Sequence, residues 1–165
     1  MSNGQDHCAW GRPREVITPE RPSSSVSNAA QLGSKLARSR DALLSYFRPI
    51  LHAYGVTDPQ WRVLSVLSRS DELDAGETAR RAFLLPSSLS RILRDFGARG
   101  LIASRISEAD ARRSMHALTK TGHKLVAEIE PHFIPIYQEL ERRAGVERLA
   151  GLGRALDEFS DLLEG

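Results

Sequence analysis

Residues 86–118 read PSSLSRILRDFGARGLIASRISEADARRSMHAL, and within them the hydrophobic period changes. Leu89, Ile92, Leu93 and Phe96 recur at three- and four-residue steps, which predicts a helix from Pro86 or Ser87 to Ala98. Gly100 stops it. Leu101 to Ile106 then reads as a strand, Ser107 to Arg113 as a polar turn and Ser114 to Leu118 as the returning strand, because apolar and polar residues now alternate.

Upstream, Thr57 stands where an N-cap belongs and Gln60 completes a capping box. The helix they open carries Trp61, Val63, Leu64, Val66 and Leu67 on its buried face. Asp74, with Glu77 three residues later, caps a short helix through Arg81. Three short helices followed by a hairpin, over residues 57–119, form the layout of a winged helix-turn-helix. Flanking it, Leu32, Leu36, Leu43, Leu44, Phe47, Ile50 and Leu51 mark a helix from Ala29 to Ala53, and Pro49 is expected to kink or break it. Thr119 or Thr121 caps another helix bearing Leu125, Val126, Ile129, Phe133, Ile136, Tyr137 and Leu140, with a bend expected near Pro131 and an end at Gly145. The last helix, about 147–163, aligns Leu149, Leu152, Leu156, Phe159, Leu162 and Leu163.

The predicted fold class is therefore mainly α (α+β), a winged helix-turn-helix with terminal helices forming a dimerisation domain. The terminal helices, in residues 28–56 and 120–165, have stripes too long to bury on so small a middle domain, and two interlocked chains would cover them. Residues 1–27, including Pro19 to Ser25, lack periodicity and read as a disordered tail that holds Trp10 and Cys8.

The chain has 165 residues, a formal net charge of +2 and a single cysteine. That excludes an internal disulfide framework and a multi-cysteine metal knuckle. No apolar run is long enough for a membrane helix, and Arg12 to Arg14 are followed by no apolar h-region. These features predict a cytoplasmic protein with no membrane partner. There are 20 Arg against 3 Lys. This bias suits phosphate and base-edge contact, and equally a GC-rich genome, so position must decide.

In a helix-turn-helix the second helix of the motif enters the major groove by its N-terminal end. Here that end presents Ser87, Ser88, Ser90 and Arg91, with Arg94 on the same face. The serines could instead be helix caps. The hairpin tip offers Asp110, Arg112 and Arg113. Arg112 suits a narrow minor groove and Asp110 could hold its side chain, although a solvated charge pair is the plainer reading. For a small aromatic acid, Leu36, Arg40, Leu44 and Arg48 fall on one helical line that His52 continues, with Trp61 as a possible wall. Arg40 or Arg48 would clamp the carboxylate; the alternative is an ion pair with Asp41, Asp58 or a C-terminal acid.

The chain resembles the MarR family of transcriptional regulators over about Leu32 to Leu163. The carrying residues are Gly100-Leu101-Ile102, Asp110-Ala111-Arg112-Arg113 and Leu118-Thr119-Lys120-Thr121-Gly122. Phe47 to Leu51 and Gln60 to Leu64 are similar to the HpaR-like branch, named for regulation of homoprotocatechuate degradation. The resemblance implies a homodimer that binds a palindromic double-stranded DNA operator, usually as a repressor. It also implies release by a phenolic or aromatic acid, or its coenzyme A thioester, with control of aromatic-compound catabolism genes. Ser104, Pro86, Ser87 and Gly97 depart from the family's usual pattern.

No P-loop, G-x-S-x-G or H-E-x-x-H motif is present, so an enzyme is not expected, nor a cofactor. His52, His116, His123 and His132 lack tight metal spacing, and Cys8 in the tail is poorly placed for redox sensing. The competing class is a winged-helix module for protein contacts without specific DNA binding.

Overall fold

The computed structural model describes residues 26–108 and 110–164, with side chains from 29 to 163 apart from residue 109. The tail expected over residues 1–27, with Cys8 and Trp10, lies outside the described residues except at Val26 and Ser27, which are already helical. The chain divides into two compact units, Met1–Ser39 and Arg40–Gly165. The described part of the first is the opening of helix α1 (Val26–Ala53), where Leu32 is half-buried and Leu36 exposed.

The second unit holds the rest of α1 and all later elements. Pro49 does not break α1, which continues to Ala53. Proline removes one amide donor, and this close to the helix end only the Ser45 carbonyl loses its partner. Helix α2 (Asp58–Ser68) starts with the expected capping box: the Gln60 amide donates to Thr57 Oγ1, and the Thr57 amide donates to Gln60 Oε1 at 2.8 Å. Helix α3 (Ala75–Arg81) is capped by Asp74, whose Oδ1 accepts from the Glu77 amide at 3.0 Å. Helix α4 (Pro86–Ala98) follows, and the left-handed Gly100 (φ +66°) turns the chain into the sheet.

The sheet has three antiparallel strands rather than the expected two. Strand β1 (Leu73–Asp74) adds to β3 (Ser114–Leu118), and β3 pairs on its other side with β2 (Ile102–Ile106). Leu73 lies opposite His116, and His116 opposite Ser104. Two residues carry no readable period, which is why β1 escapes a sequence pattern.

Helix α5 (Lys120–Ile129) is capped by Thr119, passes into a 3-10 turn over Glu130–Phe133 at the expected bend, and continues as α6 (Ile134–Ala144). Gly145 (φ +83°) separates it from α7 (Val146–Glu164). The core gathers Val63, Leu64 and Leu67 of α2, Ala79 of α3, Leu89 and Phe96 of α4, Ile102 and Leu118 of the sheet, and Val126, Ile129 and Phe133 behind them. A close approach holds α5 on the hairpin: a Cβ on Gly122 would sit 2.2 Å from the Leu101 carbonyl oxygen, which itself accepts from the Thr119 amide. The final glycine of the Leu118-to-Gly122 motif therefore has a steric reason.

Candidate DNA-binding surface and effector cleft

The first surface is built by α4 and the hairpin. Burying Leu89 and Phe96 turns the opposite side of α4 outward, so Ser87, Ser88, Ser90, Arg91 and Arg94 are all exposed. The serines are not caps. Leu85 occupies the N-cap and makes no side-chain cap bond, Pro86 sits in the first turn, and Ser90 Oγ donates back to the Pro86 carbonyl at 2.9 Å. Ser87 and Ser88 thus keep their hydroxyls for solvent or a partner. No ion pair engages Arg91, Arg94 or Arg112 among the described residues, and no protein acid competes for those three forks.

The hairpin tip differs from the expectation. Asp110 does not hold the Arg112 side chain. Its Oδ1 accepts the Arg112 backbone amide at 3.0 Å, and its carbonyl accepts the Arg113 amide at 2.9 Å, so it shapes the turn. Arg113 does not project freely either. Its guanidinium pairs with Asp74 Oδ2, the same carboxylate that caps α3. The Asp74 carboxyl is held below the usual carboxylate range, chiefly by the Glu77 amide; burial opposes this, and the hydrogen bond and charge of Arg113 lower it further. Arg105 is likewise committed, to Glu72, through Nε at 2.9 Å. One arginine of the tip, Arg112, therefore remains exposed and unpaired, while its neighbour anchors the wing to α3. His116, buried under the wing, hydrogen-bonds Ser104 Oγ through Nδ1 at 2.8 Å. Burial pushes its pKa down, partly offset by the charge of Asp74.

The second surface is a cleft of about 480 Å³ between α1 and the start of α2. Its lining joins Arg40, Leu44, Arg48 and His52, four of the five residues of one helical line, to Leu51, Val56, Thr57, Asp58 and Pro59; Leu36 is not part of it. Neither arginine is buried: the Arg40 and Arg48 side chains are 59% and 51% exposed. Both have acid partners of the kind foreseen as the alternative. Arg40 Nη2 lies 2.9 Å from Asp58 Oδ2, and Arg48 pairs with Asp41. Trp61 does not line this cleft. It meets Phe133 edge-on at 5.1 Å, in an aromatic cluster with Phe47 and Tyr137. An edge-to-face partner recruits indole surface more strongly than an open cleft wall does.

A second cleft, about 450 Å³, shares Thr57 and Pro59 with the first and adds Gln60 with Ser88, Arg91, Ile92 and Asp95 of α4. The start of α2 therefore borders both the cleft of Arg40 and the outer side of α4. Asp58, foreseen as an acid partner, and Arg62, to which the sequence reading gave no role, stand beside this junction. Asp58 and Arg62 are four apart on α2, a spacing that announces an ion pair, and Arg62 Nε is 3.4 Å from Asp58 Oδ2. What Arg62 reaches at its other end, the carbonyls of Ala82 and Phe83, has no local signal in the sequence.

Residues 54–113 match the MarR family. The homoprotocatechuate degradative operon repressor of Escherichia coli is 32% identical over 124 residues, 75% of this chain and 84% of that protein. The HTH-type transcriptional regulator FarR of Neisseria gonorrhoeae is 33% identical over 136 residues, 82% of this chain and 93% of that one. Among solved structures, NadR in complex with 4-hydroxyphenylacetate aligns with a TM-score of 0.68 and 31% identity, covering 87% of this chain and 97% of its own. Matched over most of its length to such relatives, and carrying the winged helix-turn-helix in α2 through β3, this chain belongs to the MarR family of transcriptional regulators.

Proposed function

We propose that this chain is a repressor that binds a palindromic operator as a homodimer and releases it when an aromatic carboxylic acid occupies the cleft at Arg40 and Arg48, so controlling genes of aromatic-compound catabolism. The observation that carries the reading is the placement of unpaired guanidinium groups: Arg91 and Arg94 on the open face of α4, and Arg112 at the tip of a wing tied down by Arg113 and Asp74. Ser87, Ser88, Arg91 and Arg94 would meet base edges and phosphates in the major groove, and Arg112 the minor groove beside it. Ser90 is turned back on its own helix and Asp110 shapes the tip, so both support the surface rather than touch bases.

The homodimer reading is supported by apolar residues that one chain leaves uncovered. Leu152, Leu156, Leu162 and Leu163 of α7 are exposed, as are Ile134 and Tyr137 of α6. Two copies joined there, with 28–56 and 120–165 as the dimerisation region and 57–119 as the reading head, would set two α4 helices about 34 Å apart on successive major grooves. For the effector, about 480 Å³ falls in the range of small-molecule sites, about 300–1,000 Å³. Two guanidinium groups, His52 and the apolar Leu44, Leu51 and Val56 suit an anionic aromatic ring. The relatives are named as a repressor and a transcriptional regulator, in keeping with a binding rather than a catalytic role.

Fluorescence anisotropy with the DNA upstream of the chain's own gene tests this reading, at two salt concentrations and with 4-hydroxyphenylacetate as probe. Specific binding with a steep salt slope, weakened by the acid, is the expected result. Arg112→Ala should weaken binding, and Arg91→Ala should change which base substitutions are tolerated. Equal affinity for scrambled DNA would instead favour the protein-contact module.

A further inference from the structure

The turn between α3 and α4 closes on backbone bonds of its own, the Phe83 amide donating to the Arg80 carbonyl at 3.2 Å and the Leu84 amide to the Ala79 carbonyl at 2.9 Å. Phe83 adopts φ +51°, the left-handed region that costs a side-chain-bearing residue energy, and its ring is 84% exposed, so packing does not hold it there. A second hold comes from α2. Arg62 Nη1 donates to the Ala82 carbonyl at 2.7 Å and to the Phe83 carbonyl at 3.0 Å, the carbonyls just past the end of α3. Such carbonyls lack helix partners and sit at the negative end of the helix dipole, where a cation is favoured. Pro86, the first residue of α4, follows three positions later, so the direction of the DNA-facing helix is set directly after this clamp.

The same guanidinium is incompletely satisfied. Its Nε is buried and makes no hydrogen bond, although Asp58 Oδ2 lies 3.4 Å away. That oxygen is already taken by Arg40 Nη2 at 2.9 Å, and Arg40 and Asp58 both line the larger cleft. A chain of contacts thus runs from cleft to turn: Arg40, Asp58, Arg62, then the Ala82 and Phe83 carbonyls.

We propose that Arg62 is the positioning residue that fixes α4 for operator binding, and that an anion bound at Arg40 acts on it through Asp58. An anion that draws Arg40 away leaves Asp58 with a single cationic neighbour. Arg62 then turns its unmet Nε toward that carboxylate and loosens its hold on the turn. The clamp rests on the geometry of this chain; its consequence for DNA rests on the regulator reading above.

The test uses the full chain with Arg62→Met, Arg62→Lys and Asp58→Asn. Amide exchange reads the clamp without any DNA. Arg62→Met should accelerate exchange at Phe83 and Leu84 about tenfold, the loss expected for hydrogen bonds from a charged donor, and leave α5 unchanged. Arg62→Lys, which keeps the charge but not the fork, should fall between. Operator affinity should follow the same order. In Asp58→Asn, measured against that variant's own acid-free affinity for the upstream DNA and with occupancy checked by calorimetry, the weakening caused by saturating 4-hydroxyphenylacetate should fall below about twofold, under the usual range of allosteric coupling. Exchange at Phe83 and Leu84 unmoved by either Arg62 variant overturns the clamp. Full coupling retained in Asp58→Asn overturns the relay. If the parent chain binds neither upstream DNA nor the acid, the regulator reading fails instead, and the exchange data still judge the clamp.

Discussion

The lobe from α2 to α5 and the pair α6–α7 are made from the same kind of amphipathic sequence and end in opposite states. In the lobe, Val63, Leu64, Leu67, Leu89, Phe96 and Ile129 are almost wholly removed from water. In α6 and α7 none of the described residues is buried, and Leu162 and Leu163 are 76% and 69% exposed. An apolar stripe is therefore a demand for a partner, and only where the chain supplies one does it become a core. Polar chemistry divides only in part along the same line, because Arg80 and Arg81 of α3 also fork onto Glu77 along their own helix. The lobe spends cations on backbone and caps (Arg62 on carbonyls, Arg113 on the Asp74 that caps α3). On α6 the arginines Arg142 and Arg143 simply fork onto Glu139 along the helix surface.

The largest effect should come from the lobe. Phe96→Ala removes a fully buried ring and should cost about 3–5 kcal/mol in chemical denaturation. A loss under about 1 kcal/mol would mean that the lobe core is looser than its burial indicates. Next comes Gly122→Ala, whose Cβ would meet the Leu101 carbonyl at 2.2 Å. Separating α5 from the hairpin should cost about 1–3 kcal/mol, the usual range for overpacking.

The α7 stripe should respond differently. Leu156→Glu combined with Leu162→Glu should change the unfolding of a single chain by no more than about 0.5 kcal/mol per site, as for surface positions. In sedimentation the same double variant should halve the mass of the assembly. An unchanged mass would sink the proposal that this face joins two copies, and the comparison would have to be redrawn.

The smallest effect, on pH, sharpens the comparison further. Burial lowers the His116 pKa below the ordinary 6.5. The unfolded chain then binds more protons than the folded one just below that value, so stability is full above 6.5 and declines as pH falls through it toward the folded pKa. Glu139 works in another window. The Arg142 and Arg143 forks hold its carboxyl down at about 2, so its contribution is present above 4.5 and lost as pH falls toward 2. Glu77, forked by Arg80 and Arg81, behaves in the same way. A thermal-melt profile flat between pH 7 and 5 in the parent chain would contradict the buried state of His116, and His116→Phe should remove the slope in that interval.

Much of the fold was legible because the signals are local. The Thr57–Gln60 capping box, the caps at Asp74 and Thr119, the stops at Gly100 and Gly145 and the bend at Pro131 each depend on a few neighbouring residues, and each appears where the pattern puts it. The two-residue β1 had no period to read, and Pro49, expected to kink or break α1, does not end it. At the surface proposed to face DNA, the outward placement of the serines and Arg91 was legible from helix phase. The commitment of Arg113 to Asp74, 39 residues away, was not. Nor was the turning of Trp61 toward Phe133 rather than toward the cleft.

By itself the sequence determined the order of the elements, which face of each is apolar, the side chains that α4 turns outward and the family to which the chain belongs. Helix phase, capping and steric stops act over four residues or fewer, so they survive without knowledge of the rest. Only the tertiary structure decided which arginines are free and which are spent. A guanidinium reaches across helices to whichever acid or carbonyl the packing brings near, so Arg62, Arg105 and Arg113 acquired structural duties while Arg91, Arg94 and Arg112 were left open.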